Sequence, residues 1–426
     1  MMKSFPLASL GLCALILFPG CRRSVSNPST STSTSTSAAA VQTAGASESA
    51  ASGVPRVTVP LRYATVFSLE TRAETTVVIV KKPWQGAHGD FTYLLVPTRD
   101  AARDSAAVPT GAAVAAVPPA GSGANAENLV VPVPLRRVIT LTTTNLHDLE
   151  SLGVLEALVG LGGGRYVCSP AVRARLRSGR LRDVGTDVGL DVENVVALRP
   201  DLLITFVVGN SSDGGRAKLA ETGVPVAVEG SYMEESPLGR AEWIKFTGAF
   251  FGKAAAADSI FASVDSAYQA LAALARTAKR KPTVFVGAPF GGVWWMASGR
   301  TYVGRLLADA GADYLWAGDT TRGSLNLDVE AVLGRAAGAD FWINAGEWKD
   351  LADARAKDPR NALFKAWKNG RVYVNDAIRC ESGGRDFFET GAARPDLVLA
   401  DLIAILHPEL LPGHSLRWYR RLSGGR

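Results

Sequence analysis

A helix-period stretch from Ala241 to Lys279 sits between two buried-strand runs, and this layout narrows the folds open to the chain. The first run is Arg137-Val138-Ile139-Thr140-Leu141-Thr142, and the second is Thr283-Val284-Phe285-Val286-Gly287. Within the stretch Phe261, Val264, Tyr268, Leu271 and Leu274 recur at spacings of three and four, which builds one apolar helix face. Continued from Ala254 to Ala278, it predicts a rod of about 37 Å at ~1.5 Å per residue. Short apolar runs alternate with helical patterns on both sides, as expected for parallel sheets covered on both faces. The expected fold class is α/β: two Rossmann-like βα lobes joined by a long bridging α-helix. Loops after the strand C-termini would then face a ligand in the cleft.

The first lobe is placed at 135–240, the bridge at 241–280 and the second lobe at 281–426. In the first lobe the strand Val138–Leu141 leads into a helix over Asn145–Leu152, with Asn145 as N-cap. Leu158–Leu161 is a strand followed by three glycines, Gly162 to Gly164. A helix over Val192–Leu198, a strand over Pro200–Phe206 and a strand over Val224–Val228 follow. The second lobe opens with Thr283–Val286, continues with helices starting near Ser298 and Leu327, and ends with a helix over Asp396–Leu406 stopped by Pro408. A short echo links the halves: Leu190-Asp191-Val192-Glu193 returns as Leu327-Asp328-Val329-Glu330. In each copy the Asp suits a helix cap and the Glu suits the positive end of the helix.

Ahead of the lobes the chain is of a different character. Residues 1–20 read as a lipoprotein signal peptide, with Lys3, an apolar run from Leu7 to Phe18, and Leu17-Phe18-Pro19-Gly20-Cys21 resembling a lipobox that would acylate Cys21. An ordinary secretory signal cleaved elsewhere is the other reading. Residues 21–54 are mostly Ser, Thr, Ala and Gly, a composition expected to form a flexible tether. Residues 55–134 hold three β-branched runs, at Arg56–Val66, Thr75–Val80 and Phe91–Val96, and an Ala/Pro/Gly stretch over 101–127 expected to be a disordered loop. Three strands make a marginal core alone, so this β-rich extension is expected to pack on the first lobe. Trp84, in its Lys81-Lys82-Pro83-Trp84 turn, either packs there or touches ligand.

Several segments resemble one family. Val184-Gly185 followed by Val192-Glu193-Asn194-Val195-Val196-Ala197-Leu198-Arg199-Pro200-Asp201-Leu202-Leu203 resembles a signature of the substrate-binding proteins of iron-siderophore, haem and vitamin B12 ABC importers. Gly223-Val224-Pro225-Val226, Phe251-Gly252-Lys253 and Lys368-Asn369-Gly370-Arg371-Val372-Tyr373 resemble further pieces of it, in the right order, across roughly 136–412. The resemblance implies capture of a small-molecule metal chelate in the cleft and delivery to a permease and ATPase complex, with modest lobe movement. It also implies that Glu193 and Glu330 meet arginines of the permease. The β-rich extension and the loop have no counterpart in the family's core pattern.

Candidate ligand contacts follow the strands. Tyr166 and Cys168 lie in a first-lobe loop, and Tyr232 follows the Val226–Val228 strand. Phe290, Trp294 and Trp295 follow the first strand of the second lobe, where aromatic rings suit a flat or greasy ligand or else pack in the core. Arg379, Arg385 and Asp386 follow Val372–Val374; guanidinium forks suit the carboxylates or phosphates of a chelate, and structural ion pairs are the other reading. Cys168 and Cys380, one in each lobe, either pair, stay as thiols or touch ligand; Cys13 leaves with the signal.

Enzymatic and metalloprotein readings are poorly supported. The sequence holds no Gly-x-Ser-x-Gly elbow and no phosphate loop, so no catalytic residue is assigned. The four histidines, His88, His147, His407 and His414, are scattered, so no protein metal site and no resident cofactor is expected, and His407 and His414 are read as surface residues. A tetrapyrrole chelatase-like enzyme, a binder of free metal ions and a purely structural surface protein are the alternatives. The net charge of +6 is modest and the basic residues are not interleaved with aromatics, which disfavours nucleic acid. The expected location is exported and membrane-anchored through lipid.

Overall fold

A computed structural model describes residues 56–87, 89–98, 127–186, 189–207, 219, 221–381 and 383–424. The signal, the tether, Cys21 and nearly all of the 101–127 stretch lie outside the described residues.

The extension is a five-stranded sheet of β1 (Arg56–Val59), β2 (Phe67–Arg72), β3 (Thr75–Val80), β4 (Phe91–Pro97) and β5 (Glu127–Val133), paired in that order. The first four strands are antiparallel, and β5 returns parallel to β4. The sequence reading missed β5. Its apolar run Leu129-Val130-Val131 is interrupted by Pro132, and its partner comes from before the 99–126 excursion; the register pairs Val96 with Pro132. Alternate residues of β2 to β4 (Phe67, Leu69, Val78, Val80, Tyr93, Leu95) share one apolar cluster with the first lobe, so the extension does pack there.

β5 runs on into the first lobe: β6 (Val138–Thr140), α1 (Leu146–Ser151), β7 (Leu158–Leu161), α2 (Pro170–Arg177), β8 (Arg182–Asp183), a small β9–β10 ribbon (Gly185–Thr186, Gly189–Leu190), α3 (Val192–Ala197), β11 (Leu202–Thr205) and β12 (Val226–Val228). The sheet order is β12-β11-β6-β7-β8, all parallel. Val138, Ile139 and Thr140 are all buried because helices or the extension cover both faces. Asp191 caps α3 by accepting the Asn194 N–H, as its place in the echo predicts.

The linker differs from one long rod. After α4 (Pro237–Ala241) and α5 (Ile244–Phe250) the chain turns at Gly252, whose φ of +64° favours glycine, and the bridging helix α6 (Ala254–Ala275) begins. Its 22 residues give a rod of about 33 Å. Phe261, Val264 and Tyr268 are buried on the predicted face.

The second lobe contains β13 (Thr283–Val286), β14 (Pro289–Phe290), β15 (Val293–Ala297), α7 (Tyr302–Asp309), β16 (Asp313–Tyr314), β17 (Ser324–Leu327), α8 (Val329–Ala336), β18 (Phe341–Ile343), α9 (Leu351–Lys357), α10 (Lys365–Lys368), β19 (Tyr373–Val374), α11 (Asp386–Ala393), α12 (Pro395–Leu406) and β20 (Arg420–Arg421). β16-β13-β18 form a parallel sheet, and β14-β15-β17 form an antiparallel one. In both lobes the first strand is central and the chain winds outward to either side. This arrangement opens a crevice beyond the strand C-termini.

Candidate interlobe site

The loops after the parallel strands are 141–145, 162–169, 206–207 and 229–235 in the first lobe and 287–290 and 344–348 in the second, where residues 375–381 and 383–385 follow β19, set beside β18 by the parallel Trp342–Val372 bridge. The structure joins two of them covalently: Cys168 and Cys380 form a disulfide with Cα atoms 5.0 Å apart. Cys168 is therefore not a thiol contact for ligand. The bond brings Tyr166 beside the second-lobe loop. The Tyr166 ring is half-buried, with the Arg165 guanidinium stacked 4.6 Å from its centroid and donating to its hydroxyl.

Arg379 and Arg385 face each other across an antiparallel bridge in that second-lobe loop. Arg385 donates to Asn375 Oδ1 at 3.0 Å and Glu347 Oε1 at 2.9 Å and lies over the Phe388 ring. Arg379 donates to Asp376, which also receives Arg420 Nε at 2.6 Å. Burial alone would raise the Asp376 carboxyl; the hydrogen bonds from Arg420 and Arg379 outweigh it and hold the group below its usual range. Arg379 keeps 42% of its side chain exposed against 14% for Arg385, so Arg379 is the more open of the two.

Three expectations need correcting. Asp386 is buried, with its oxygens taken by Thr390 Oγ1 at 2.7 Å and the Trp418 indole N–H at 2.8 Å, so it fastens the start of α11 instead of facing a ligand. Trp294 is fully buried among Phe285, Trp342 and Phe364, and its N–H donates to the Val286 carbonyl. Trp295 is also buried, 8% exposed, in the strand between β14 and β17 and paired with Asn326. Of the aromatic trio only Phe290 remains open, 57% exposed at the Gly291-Gly292 hairpin tip. Tyr232 ties two first-lobe loops, its hydroxyl donating to the Val207 carbonyl, and burial followed by the nearby Glu229 pushes that hydroxyl's pKa up. His407 is also corrected: it is buried against the Gly311 carbonyl.

Glu193 and Glu330 are both exposed in the first turns of α3 and α8. Glu330 is paired with Arg360. Among the described residues no group of three or more His, Cys, Asp or Glu is placed to hold a metal ion.

The sequence reading missed the groups between the lobes. Glu389 of α11 accepts the Cys168 and Ser169 amides at 2.7 and 2.8 Å. Burial pushes its carboxyl up to about 7, against the lowering effect of those two amides. Its signal was Asp386 and Glu389 three apart beside Phe387 and Phe388, two carboxyls on one face of an otherwise apolar helix. A small open pocket lies where α1, the linker and α11 meet, and Asn145, Asp148, Glu229, Arg240, Thr247 and Ala392 are among its lining. Burial raises the Asp148 carboxyl to about 7, opposed by the Thr247 hydroxyl and reinforced by Glu229. Glu229 is raised by its own burial, with Ser231 and Arg240 opposing. The pocket thus keeps a protonatable carboxyl pair beside a guanidinium at the root of the interlobe contact.

A family model described as periplasmic binding protein matches residues 138–378. An uncharacterized lipoprotein of Methanocaldococcus jannaschii is 28% identical over 303 residues, covering 69% of this chain and 70% of that protein. A second uncharacterized lipoprotein of the same organism is 27% identical over 309 residues, covering 69% of this chain and 75% of its own. Among solved structures, a periplasmic haem-binding protein from Pseudomonas aeruginosa superposes with a TM-score of 0.53 at 23% identity, covering 68% of this chain and 98% of that one. A Helicobacter pylori protein solved with Ni(II) bound gives 0.51 at 18% identity, covering 67% and 88%. The matched region takes in the first lobe, the linker and the second lobe as far as residue 378, short of α11 and α12; the five-stranded extension lies before it.

Proposed function

The chain belongs to the periplasmic binding protein family, and on that premise we propose that it is the solute-binding lipoprotein of an ABC importer for a metal chelate. Its cargo is a ferric siderophore, haem or a corrinoid, taken between the lobes and handed to a permease and ATPase complex. The observation that carries this reading is the pair of parallel sheets, each with its central strand first, whose C-terminal loops meet across one interface.

Arg379 and Arg385 supply guanidinium donors for the carboxylates or phosphates of such a cargo. Phe290 supplies an open ring for its flat or greasy part, and Tyr166 and Tyr232 flank the first-lobe side. The haem-binding and Ni(II)-bound neighbours support the cargo class. Glu193 and Glu330 are exposed carboxylates on separate lobes and serve as the permease contacts. Cys21 carries the lipid, a reading supported by two relatives described as lipoproteins, and the protein works outside the cytoplasmic membrane.

Calorimetric titration of the purified protein with ferric siderophores, haem and cobalamin tests the cargo. Saturable binding of one class supports the reading and selects among the three. Heat changes at dilution level for all three would end it.

A further inference from the structure

Among the described residues the lobes are fastened to each other at the strand-end loops and at the linker, and Glu235 of the 229–235 loop also pairs with Arg300 and Arg322 of the second lobe. At the strand-end loops the Cys168–Cys380 disulfide is flanked by the Glu389 carboxylate on the Cys168 and Ser169 amides and by the Arg173–Glu381 ion pair. Gly384 backs so closely onto this contact that a Cβ would lie 2.1 Å from the Tyr166 carbonyl oxygen. At the linker, residues 61–67 of the extension form a strap. The Arg62, Tyr63 and Ala64 amides donate to Glu242, and those of Thr65 and Val66 to Glu234. Tyr63 donates to Asp265 of α6 at 2.8 Å and packs on the second-lobe core, while Leu61, Ala64, Val66 and Phe67 belong to the first-lobe cluster.

A disulfide tolerates a Cα separation of no more than about 7 Å. With that limit at the loops and the strap at the linker, the lobes have no edge along which to part. We propose that the Cys168–Cys380 bond is a latch on the cleft: the oxidised protein exchanges ligand without separating its lobes, and a dithiol reductant frees the strand-end loops. In that step one reductant thiolate attacks a cysteine sulfur and the other cysteine leaves as a thiolate. The second reductant sulfur then closes its own disulfide and releases the first cysteine. Two electrons pass to the protein, two protons complete its thiols, and the reductant is oxidised. The latch rests on the two-lobed architecture and not on which ligand is bound.

Amide hydrogen exchange on the full chain, oxidised and after dithiothreitol, tests it, with thiol counting to establish complete reduction. Protection in 166–173 and 380–389 should fall at least about tenfold, while β6, β11 and β13 keep theirs, the pattern of local opening. A Cys168→Ser/Cys380→Ser variant should match the reduced protein; if it does not fold, reduction of the native chain decides. Unchanged exchange in fully reduced protein would overturn the latch. Loss of protection in the core strands as well would also overturn it, since the bond would then hold the fold and not the cleft.

Discussion

The Glu389 carboxylate of the second lobe accepts the backbone N–H of Ser169 in the first lobe at 2.8 Å. Ser169 also caps α2, its hydroxyl accepting the Val172 N–H, so one second-lobe side chain is set against a helix start of its neighbour.

Burial of the Glu389 carboxyl makes stability depend on pH. The folded Glu389 carboxyl is raised from 4.5 to about 7, so between those values the folded protein holds more protons than the unfolded chain. Stability should therefore fall as pH rises through that window and level off above it. Asp148, raised to about 7, acts in the same direction. The Glu389 share is on the order of 3 kcal/mol at most. Melting temperatures from pH 4 to 8 should show a shallower slope for Glu389→Gln than for the native chain; identical slopes would remove Glu389 from the effect.

The two arginines should separate in their cost. Arg379→Ala should weaken cargo binding several-fold with little change in stability, since its side chain is partly exposed and Asp376 keeps Arg420. Arg385→Ala should weaken binding and also destabilise, because Asn375 and Glu347 lose their shared donor. Calorimetry alongside urea titration reads both. Unchanged affinity in both variants would take them out of the site.

Glu242 is fully buried and receives three strap amides and Lys245. Its replacement by Ala leaves those donors without an acceptor, at a cost of about 3–5 kcal/mol. Urea unfolding should show that loss; a change under about 1 kcal/mol would mean that the strap finds other partners.

Glu193→Ala and Glu330→Ala should leave cargo affinity unchanged and lower transport, with the doubly substituted chain lowest. Uptake assays with the matching permease read this. Native uptake by the double variant would free both residues from docking.

The alternation of buried strands and helices, the α6 face and the paired helix caps at Asp191 and Asp328 were legible because each depends on local periodicity or capping. Trp294 and Trp295 were not. Strand alternation turns one of two neighbours inward, but both are buried here, and the place of β15 between β14 and β17 depends on a pairing with residues about thirty positions away. The disulfide joins residues 212 apart, a distance on which sequence spacing is silent. The strap was invisible for a different reason: its work is done by backbone amides, which any residue but proline carries. His407 looked like a surface residue beside Pro408, but the Gly311 carbonyl gives it a buried partner.

The strap also has a mechanical consequence. It lies between β1 and the lobes in chain order, so tension applied through residues before Arg56 reaches β1 and then the amides held by Glu242 and Glu234. A load from the N-terminal side is thus borne at the linker before it reaches the strand-end loops.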